Sequence, residues 1–291
     1  MVLFTSDRPL ERAENLKAVY DAYDGDKEFC KRREERNLRS YALVVTDELP
    51  IAAANKCLFI WHGMGIGKTY GLDQPGPYYT NPKLITYAIS SSAEIVPNIA
   101  KMLGISESQV ITTGMPRTDA YFKIEKVDTK YRNYLYAPTF RDGDWIPDWK
   151  RIQMHPNERL SVKAHMITGR IMEKRYEQIF EYDPNAPSAL HITGCDVLIT
   201  DYSSIMFDAF IMRKPVVLFA RDKDVYLKSR GIYFEYPRMY SNYFCDTEEE
   251  LMHTVRGAKW NEHLESLRRL HAGACDGKST SRVIDLIRSM L

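Results

Sequence analysis

The chain has 291 residues, and at about 150 residues per domain this length predicts two domains. Its 40 lysines and arginines nearly balance its 39 aspartates and glutamates, for a net charge of +1, which argues against a protein whose main task is to wrap nucleic acid. Apolar residues make up 44% and charged residues 27%, so the chain can build an ordinary globular core and differs from a disordered chain.

Several kinds of special segment are not expected. No run of about 18 apolar residues occurs, so we predict no transmembrane helix. The first residues reach charge after six positions without an apolar stretch, so we predict no secretory signal. The five cysteines are scattered and form no CxxC pair: Cys30, Cys57, Cys195, Cys245 and Cys275. They predict reduced thiols in a cytosolic compartment and no zinc site, and no cofactor is expected.

Short, continuous apolar runs alternate with helical stretches along the chain. Such runs are typical of strands covered on both faces, as in parallel sheets. The predicted strands are 1–4, 41–46, 57–61, 84–89 and 109–114 in the first half, and 134–138, 151–155, 195–200 and 215–220 in the second. Helices are predicted over 11–23, 92–103, 162–180 and 280–291. This alternation predicts an α/β fold with right-handed crossovers.

The charged segment 124–132 lacks an apolar run and is the predicted domain boundary. We therefore expect two α/β domains around a cleft, residues 1–127 and 128–291, with the last helix free to cross back to the first domain. Residues 142–149 and 181–189 are predicted loops because they are rich in proline, aspartate and small residues.

The segment 61–69 reads WHGMGIGKT and directly follows a predicted strand. A P-loop would need glycine at position 62, which is His62, and the evenly spaced glycines also fail the GxGxxG pattern. The amides of Gly63 and Gly65 could still face an anion, and His62 would lie at the carboxyl end of a strand, where open α/β sheets bind ligands. The plainer alternative is a glycine-rich turn with a surface histidine.

Two arginines follow predicted strands in a similar way. Arg117 lies in GMPRTD (114–119), where it could point into the cleft or pair with Asp119, although a structural turn is the favoured interpretation. Arg141 lies in APTFRD (137–142) and could hold a phosphate through two hydrogen bonds. A surface salt bridge is the alternative for Arg141.

His155 follows the predicted strand 151–154 and precedes a proline that keeps its backbone extended. Taken alone it would more often be a structural residue. Together with His62, however, it gives one histidine at a strand end in each half of the chain. This arrangement favours a shared site.

The run DVLITDYSSIMFD (196–208) joins a buried strand to a buried helix and is the strongest motif. Ser203 and Ser204 would occupy the cap and first turn of that helix, where hydroxyls, free amides and the helix dipole attract an anion. A plain serine-capped helix is the alternative. Asp201 and Asp208 could be metal ligands, but no further carboxylate spacing supports a metal site.

Other segments carry weaker signals. The tyrosine-rich segment 226–236 could close over a base or sugar, and Lys278 and Arg282 at the start of the last helix could contact phosphate. The basic, amphipathic stretch 256–271 could contact a membrane surface but is more often a solvated helix. No GxSxG motif is present, which argues against a hydrolase triad.

Taken in chain order, these motifs resemble the CDP-glycerol glycerophosphotransferases, the teichoic-acid primases and polymerases of the TagB and TagF type and related capsule enzymes. The resemblance runs from about Asn15 to the C-terminus, and LITDYSSIMFD with the upstream WHG is its most specific part. It implies a GT-B fold of two Rossmann-like domains facing a central cleft, with CDP-glycerol held mainly by the second. It implies two functional histidines, which match His62 and His155.

The resemblance also implies a set of substrate contacts. The diphosphate is expected to bind Arg141, Ser203 and Ser204. The remaining candidate substrate-binding residues are Gly63, Gly65, Arg117, Thr200, Asp201 and Asp208. No metal is expected.

The function expected from this resemblance is transfer of glycerol phosphate from CDP-glycerol to a hydroxyl of a polyol-phosphate, glycan or lipid-linked acceptor, with release of CMP. His62 would be the general base, so activity should fall below about pH 6.5, the ordinary histidine pKa. The alternatives are a GT-B transferase that uses CDP-ribitol or a nucleotide sugar, and a non-catalytic module that binds a nucleotide or an anionic polymer. We expect a cytoplasmic enzyme, working at the inner face of the membrane where its acceptor is lipid-linked, without a nucleic-acid partner.

Overall fold

Two parallel β-sheets organise the chain. The computed structural model describes residues 1–73, 81–125, 129–139, 147–164, 177–181 and 188–291. The chain divides into two compact units: unit 1 is Met1–Lys123 with Arg269–Leu291, and unit 2 is Ile124–Arg268. Each unit contains one six-stranded sheet, and the described strand pairs are parallel. The predicted α/β class is confirmed.

The sheet of unit 1 has the strand order β2-β1-β3-β4-β5-β6. Its strands are β1 (Val2–Ser6), β2 (Lys27–Lys31), β3 (Leu43–Thr46), β4 (Cys57–Phe59), β5 (Tyr87–Ser90) and β6 (Val110–Thr112). Every residue of β1, β3 and β4 is buried, as expected for central strands of a parallel sheet. The edge strand β2 was not predicted, because its charged sequence KEFCK buries only Cys30.

The sheet of unit 2 has the strand order β12-β11-β10-β7-β8-β9. Its strands are β7 (Arg132–Tyr136), β8 (Glu158–Val162), β9 (Ile179–Glu181), β10 (Val197–Thr200), β11 (Val216–Phe219) and β12 (Tyr243–Cys245). The neighbouring strands β10 and β11 are fully buried, in agreement with their continuous apolar sequences.

Eight helices are found in the residues that the structure describes. They are α1 (Glu14–Ala22), α2 (Val96–Leu103), α3 (Ser188–Gly194), α4 (Ile205–Ile211), α5 (Lys223–Arg230), α6 (Glu248–Gly257), α7 (Glu262–Ala272) and α8 (Ser279–Met290). A 3-10 helix covers Pro116–Lys123. As predicted, α2 ends at Gly104, which adopts the left-handed conformation.

Two predictions near the middle of the chain are wrong. The segment 151–155 is not a strand: a 3-10 helix covers Trp149–Arg151, and β8 begins only at Glu158. The predicted helix 162–180 is contradicted at both of its described ends, because Val162 closes β8 and Ile179 opens β9. In β8, burial alternates along the strand, so its sequence ERLSV carries polar residues that hide a strand from a search for apolar runs.

The terminal helix α8 belongs to unit 1. The predicted second domain was residues 128–291, with the last helix free to cross back. Its N-terminus is capped by Asp119, which accepts hydrogen bonds from the amides of Ser279 (3.0 Å) and Thr280 (2.7 Å). A carboxylate from a distant segment thus satisfies amides that a local side chain usually binds.

We expect Asp119→Ala to lower the free energy of unfolding by about 1–2 kcal/mol, because two amides at the start of α8 lose a buried carboxylate acceptor. Urea unfolding followed by circular dichroism measures this change. Asp285→Asn, an exposed change on the same helix, is the control and should cost less than about 0.5 kcal/mol. Equal losses in both variants would contradict the capping role.

Candidate active site

Charged and polar residues gather at the carboxyl edge of the sheet in unit 1. Arg8 follows β1, Asp47 and Glu48 follow β3, and His62 follows β4. Because β1, β3 and β4 are adjacent and parallel, residues that follow them meet at one edge of the sheet. The structure therefore brings His62 together with three charged side chains that the sequence analysis did not single out.

The imidazole of His62 is held from one side and open on another. Its Nδ1 lies 3.3 Å from the backbone carbonyl of Asp47 and 3.5 Å from a carboxylate oxygen of Glu48. The ring of Tyr70 packs edge-on against it at 6.1 Å between centroids. The side chain nevertheless keeps 36% of its surface exposed. His62 is therefore fixed in orientation and still accessible to a substrate.

The two carboxylates beside His62 share one arginine. Arg8 donates to Asp47 at 2.8 Å and lies 3.5 Å from Glu48. Asp47 is fully buried, and burial raises the pKa of its carboxyl group while Arg8 opposes that rise. Burial likewise raises the pKa of Glu48, again against the charge of Arg8. Arg8 thus offsets part of the negative charge that the two carboxylates place beside His62.

His62 is expected to be uncharged at physiological pH. Burial against its neighbours and the positive charges of Arg8 and Arg117 lower its pKa to about 4, although Asp47 acts in the opposite direction. This corrects the expectation of an ordinary value near 6.5. A neutral imidazole can accept a proton, as a general base must.

A buried asparagine, Asn15, positions the backbone next to His62. Trp61, the residue that precedes His62, has an unusual positive φ of 45°. Asn15, 2% exposed in α1, donates to the Trp61 carbonyl at 3.0 Å and accepts from the Arg117 amide at 3.0 Å. Arg117 is thereby tied to the histidine segment, and its side chain lies 3.7 Å from Glu14. Only its polarity within an apolar helix face could have marked Asn15 in the sequence.

The glycine-rich segment is bonded to the protein itself. The amide of Gly65 donates to Ser91 at 3.2 Å, and that of Ile66 donates to His271 at 3.3 Å. At Gly63, a Cβ atom would lie 2.8 Å from the Trp61 ring. Gly65 has a φ of 62°, which favours glycine. The backbone conformation and the packing therefore explain why these positions are glycine. Contrary to the prediction, the Gly65 amide is not available to an anion.

In unit 2, two residues that were predicted to contact the substrate, Thr200 and Asp201, instead bind the backbone that follows the neighbouring strand β7. Both carboxylate oxygens of Asp201 accept from the Thr139 amide, at 2.9 and 3.0 Å, and Asp201 is fully buried. The hydroxyl of Thr200 donates to the Ala137 carbonyl at 2.7 Å. Thr200 and Asp201 thus fix residues 137–139, just before Arg141, which lies outside the residues that the structure describes.

Ser203 and Ser204 lie half-buried at the start of α4. The amide of Ile205 approaches the Ser203 hydroxyl at 3.5 Å, and the Ser204 side chain makes no capping hydrogen bond. This leaves the Ser204 hydroxyl, at the carboxyl edge of the sheet, without a role in holding the helix. Asp208, by contrast, is 1% exposed within α4, so it is not placed to contact a substrate directly.

His155 does not lie where the sequence predicted. It precedes β8, so it lies at the amino edge of the sheet, whereas Ser203 and Ser204 follow β10 at the carboxyl edge. Its amide donates to Glu158 at 2.7 Å, its carbonyl accepts from Gln178 at 2.6 Å, and its side chain is exposed. Within unit 2, His155 and the two serines therefore belong to opposite edges. By chain order, the histidine that follows β8 is His165, which lies outside the described residues.

The weaker candidates have mainly structural contacts. Tyr226 lies in α5 and stacks on Tyr202 at 3.8 Å between ring centroids. Arg282 donates to the carbonyls of Thr113 and Ala274, at 2.8 and 2.6 Å, and pairs with Asp276. Among the described residues, no group of three or more histidines, cysteines or carboxylates is placed to hold a metal ion. Nor is any helix there long and apolar enough to span a bilayer.

Comparison with solved structures identifies the fold. A wall teichoic acid polymerase TagF, a histidine-to-asparagine variant soaked with CDPG, matches with a TM-score of 0.77 at 20% identity, over 99% of this chain and 88% of the other. TagF itself matches with a TM-score of 0.75 at 19% identity, over the same shares of both chains. The predicted GT-B fold class is thereby confirmed.

Comparison of sequences identifies the family. A teichoic acid poly(ribitol-phosphate) polymerase of Bacillus spizizenii is 28% identical over 78% of this chain. The matched region covers only 42% of that polymerase. A teichoic acid glycerol-phosphate primase of Bacillus subtilis is 25% identical over 85% of this chain and 72% of its own length. Residues 27–289 match the family model described as CDP-glycerol:poly(glycerophosphate) glycerophosphotransferase. The chain therefore belongs to the CDP-glycerol:poly(glycerophosphate) glycerophosphotransferase family.

Proposed function

We propose that this protein transfers glycerol phosphate from CDP-glycerol to a hydroxyl group of an acceptor and releases CMP. Family membership over residues 27–289 supports a transferase of this class. The observation that carries the proposal is the position of His62, an accessible imidazole that follows β4 at the carboxyl edge of the sheet of unit 1. Because its Nδ1 faces the Asp47 carbonyl, Nδ1 carries the ring proton and Nε2 is left to act as the base.

The proposed reaction is one in-line displacement at phosphorus. The acceptor oxygen forms a bond to the phosphorus that carries glycerol, and the bond from that phosphorus to the bridging oxygen breaks. The hydroxyl proton passes to Nε2 of His62, and the bridging oxygen leaves as part of CMP. General-base assistance of this kind typically contributes about 10²–10⁴ in rate.

On the donor side, we propose that Ser203, Ser204 and Arg141 bind the diphosphate. The half-buried serines at the carboxyl edge of unit 2 support this assignment, since open α/β sheets bind ligands at that edge. Asp201 would act indirectly, by fixing Thr139 and the segment that leads to Arg141.

The identity of the donor has two main alternatives. CDP-ribitol is supported by two ribitol-phosphate relatives of Bacillus spizizenii, 28% and 26% identical to this chain. A nucleotide sugar would use the same type of fold. We further propose that the acceptor is a polyol-phosphate polymer or a lipid-linked glycan, which would bring the enzyme to the inner face of the membrane.

A donor panel tests the proposal. The protein is incubated with CDP-glycerol, CDP-ribitol or a UDP-sugar, and with an alkyl-linked disaccharide or a short oligo(glycerol phosphate) as acceptor. We expect CMP and a new phosphodiester with CDP-glycerol. CMP formed only from CDP-ribitol would reassign the donor, and release of a nucleoside diphosphate would indicate sugar transfer. Binding without any product, unchanged in His62→Ala, would indicate a non-catalytic module.

The position of His155 leads to a separate prediction. His155→Asn should keep kcat within about threefold of the parent, because the side chain is exposed at the amino edge of its sheet. The same substitution at His165 tests the histidine that follows β8 in the chain. A loss of a hundredfold or more in His155→Asn, with the protein still folded, would restore His155 to the site.

A further inference from the structure

Glu48 lies between the proposed base and an arginine. Its carboxylate oxygen Oε1 is 3.5 Å from His62 Nδ1 and also 3.5 Å from the Arg8 guanidinium. The side chain is 21% exposed, so water screens these contacts less than it would on an open surface. The same oxygen thus lies between a permanent cation and a ring that becomes a cation when it takes a proton.

The charges around Glu48 determine what it can do. Arg8 is already matched by the buried carboxylate of Asp47, to which it donates at 2.8 Å. Glu48 is therefore left as the carboxylate that faces the imidazole directly. Arg117 and Arg8 both disfavour a positive charge on His62, and Asp47 favours it. A negative group within 4 Å of Nδ1 is suited to stabilise the imidazolium as it forms.

We propose that Glu48 is a positioning residue for His62: its negative charge favours the tautomer with the proton on Nδ1 and stabilises the imidazolium that forms when Nε2 takes the acceptor proton. This inference rests on the proposed function of His62 as the base. A carboxylate that holds and polarises a catalytic histidine is a recurring arrangement in enzymes. The competing interpretation is that Glu48 serves only as a structural partner of Arg8.

Glu48→Gln separates charge from shape. Glutamine keeps the shape of the side chain and removes its negative charge, while the contact of Nδ1 with the Asp47 carbonyl at 3.3 Å is left in place. Glu48→Asp keeps the charge on a shorter side chain. Glu35→Gln makes the same chemical change at an exposed site in unit 1 and is the matched control.

The first readout does not depend on catalysis. In protein labelled with ¹⁵N-histidine, the His62 signal is identified by its absence in His62→Gln and recorded at about pH 7, with backbone amide signals as the check on folding. We expect the ¹⁵N shift of His62 Nδ1 to change in Glu48→Gln, which removes the nearby negative charge, and to stay unchanged in Glu35→Gln. An unchanged Nδ1 shift in Glu48→Gln would overturn the proposal.

The second readout is kinetic. We expect Glu48→Gln to lower kcat about 10- to 100-fold with the KM for CDP-glycerol within about twofold, and Glu48→Asp to recover part of the loss. A changed Nδ1 shift with kcat unchanged would overturn the role of Glu48 in the reaction. If the parent protein transfers nothing from CDP-glycerol, CDP-ribitol or a UDP-sugar, the proposed function fails and the positioning role falls with it, whereas an unchanged Nδ1 shift in an active enzyme overturns Glu48 alone.

Discussion

His62→Asn is expected to lower kcat by about 10²–10⁴-fold, the typical contribution of a general base. Asparagine can still donate to the Asp47 carbonyl, which His62 Nδ1 meets at 3.3 Å, but it cannot accept a proton at a position equivalent to Nε2. Because 36% of the side chain is exposed, the fold should tolerate the change. Initial rates of CMP release from CDP-glycerol, with thermal unfolding as the control, measure the effect. A folded variant with more than a tenth of the parent rate would contradict the assignment.

The pH dependence of the rate also tests the role of His62. In the proposed mechanism the neutral form of His62 is the active one, and the pKa of His62 is lowered to about 4. The protonation of His62 should therefore reduce activity only as the pH approaches 4, and the rate should stay level between pH 8 and about 5. Glu35→Gln and His155→Asn are the controls, because each removes another titratable side chain. A fall in rate centred near pH 6.5 that persists in both folded variants would contradict this expectation for His62.

The lowered pKa also affects stability, with a definite sign. In the unfolded chain a histidine takes up a proton below about pH 6.5, whereas folded His62 does so only near pH 4. Over that interval the unfolded state binds more protons, so the contribution of His62 to folding stability decreases as the pH falls. Rates should therefore be measured alongside circular dichroism, so that loss of structure at acid pH is not taken for loss of a base.

Glu158→Gln is expected to lower the free energy of unfolding by about 2–4 kcal/mol at pH 7. Glu158 is 3% exposed and accepts hydrogen bonds from Arg256 (2.9 and 2.8 Å), the Tyr134 hydroxyl (2.8 Å) and the His155 amide (2.7 Å). These contacts join α6 to β7 and β8. The substitution leaves the Arg256 guanidinium without its buried carboxylate, which is the costly way to break such a pair.

The contacts of Glu158 also predict an acid transition. Burial alone would raise its pKa, but Arg256, the His155 amide and the Tyr134 hydroxyl outweigh burial and lower the pKa to about 2. The resulting stability, about 3 kcal/mol, is present above pH 4.5 and is lost as the pH falls from there towards 2. Urea unfolding at several pH values measures the loss at about pH 7 and the loss at acid pH. In Glu158→Gln, the free energy of unfolding should depend less on pH between 4.5 and 2.

A surface ion pair on the same helix provides the control for Glu158. Glu249 in α6 contacts Arg151 with 52% of its side chain exposed, so Glu249→Gln should cost less than about 1 kcal/mol. Equal losses in the two variants would show that the contacts of Glu158 do not stabilise unit 2 as described. An unchanged loss of stability at acid pH in Glu158→Gln would show the same.

The sequence was sufficient to predict the fold class because the central strands are continuous apolar runs. Three of the strands that were missed, β2, β9 and β12, are sheet edges, where one side lacks a neighbouring strand and burial is incomplete. The fourth, β8, alternates buried and half-buried residues. A search for unbroken apolar runs finds neither kind of strand, and the error at β8 placed His155 at the wrong edge of its sheet.

The candidate site was only partly predictable for a related reason. His62 was found because its motif directly follows a strand. Its partners Arg8, Glu48 and Asn15 come from other segments and meet it only through the order of the strands in the sheet and the packing of α1. The glycines after His62 were given an anion-binding role because glycine frees backbone amides, but the Gly65 amide donates to Ser91 and the next amide, that of Ile66, donates to His271.

We propose that an acceptor hydroxyl displaces CMP from the phosphorus that carries the polyol. CDP-glycerol labelled with ¹⁸O in the oxygen that bridges its two phosphates tests this displacement, with the acceptors of the donor panel and mass spectrometry of the nucleotide product. We predict CMP that retains the label, together with an unlabelled phosphodiester on the acceptor. Unlabelled CMP, or CDP as the nucleotide product, would contradict displacement at that phosphorus.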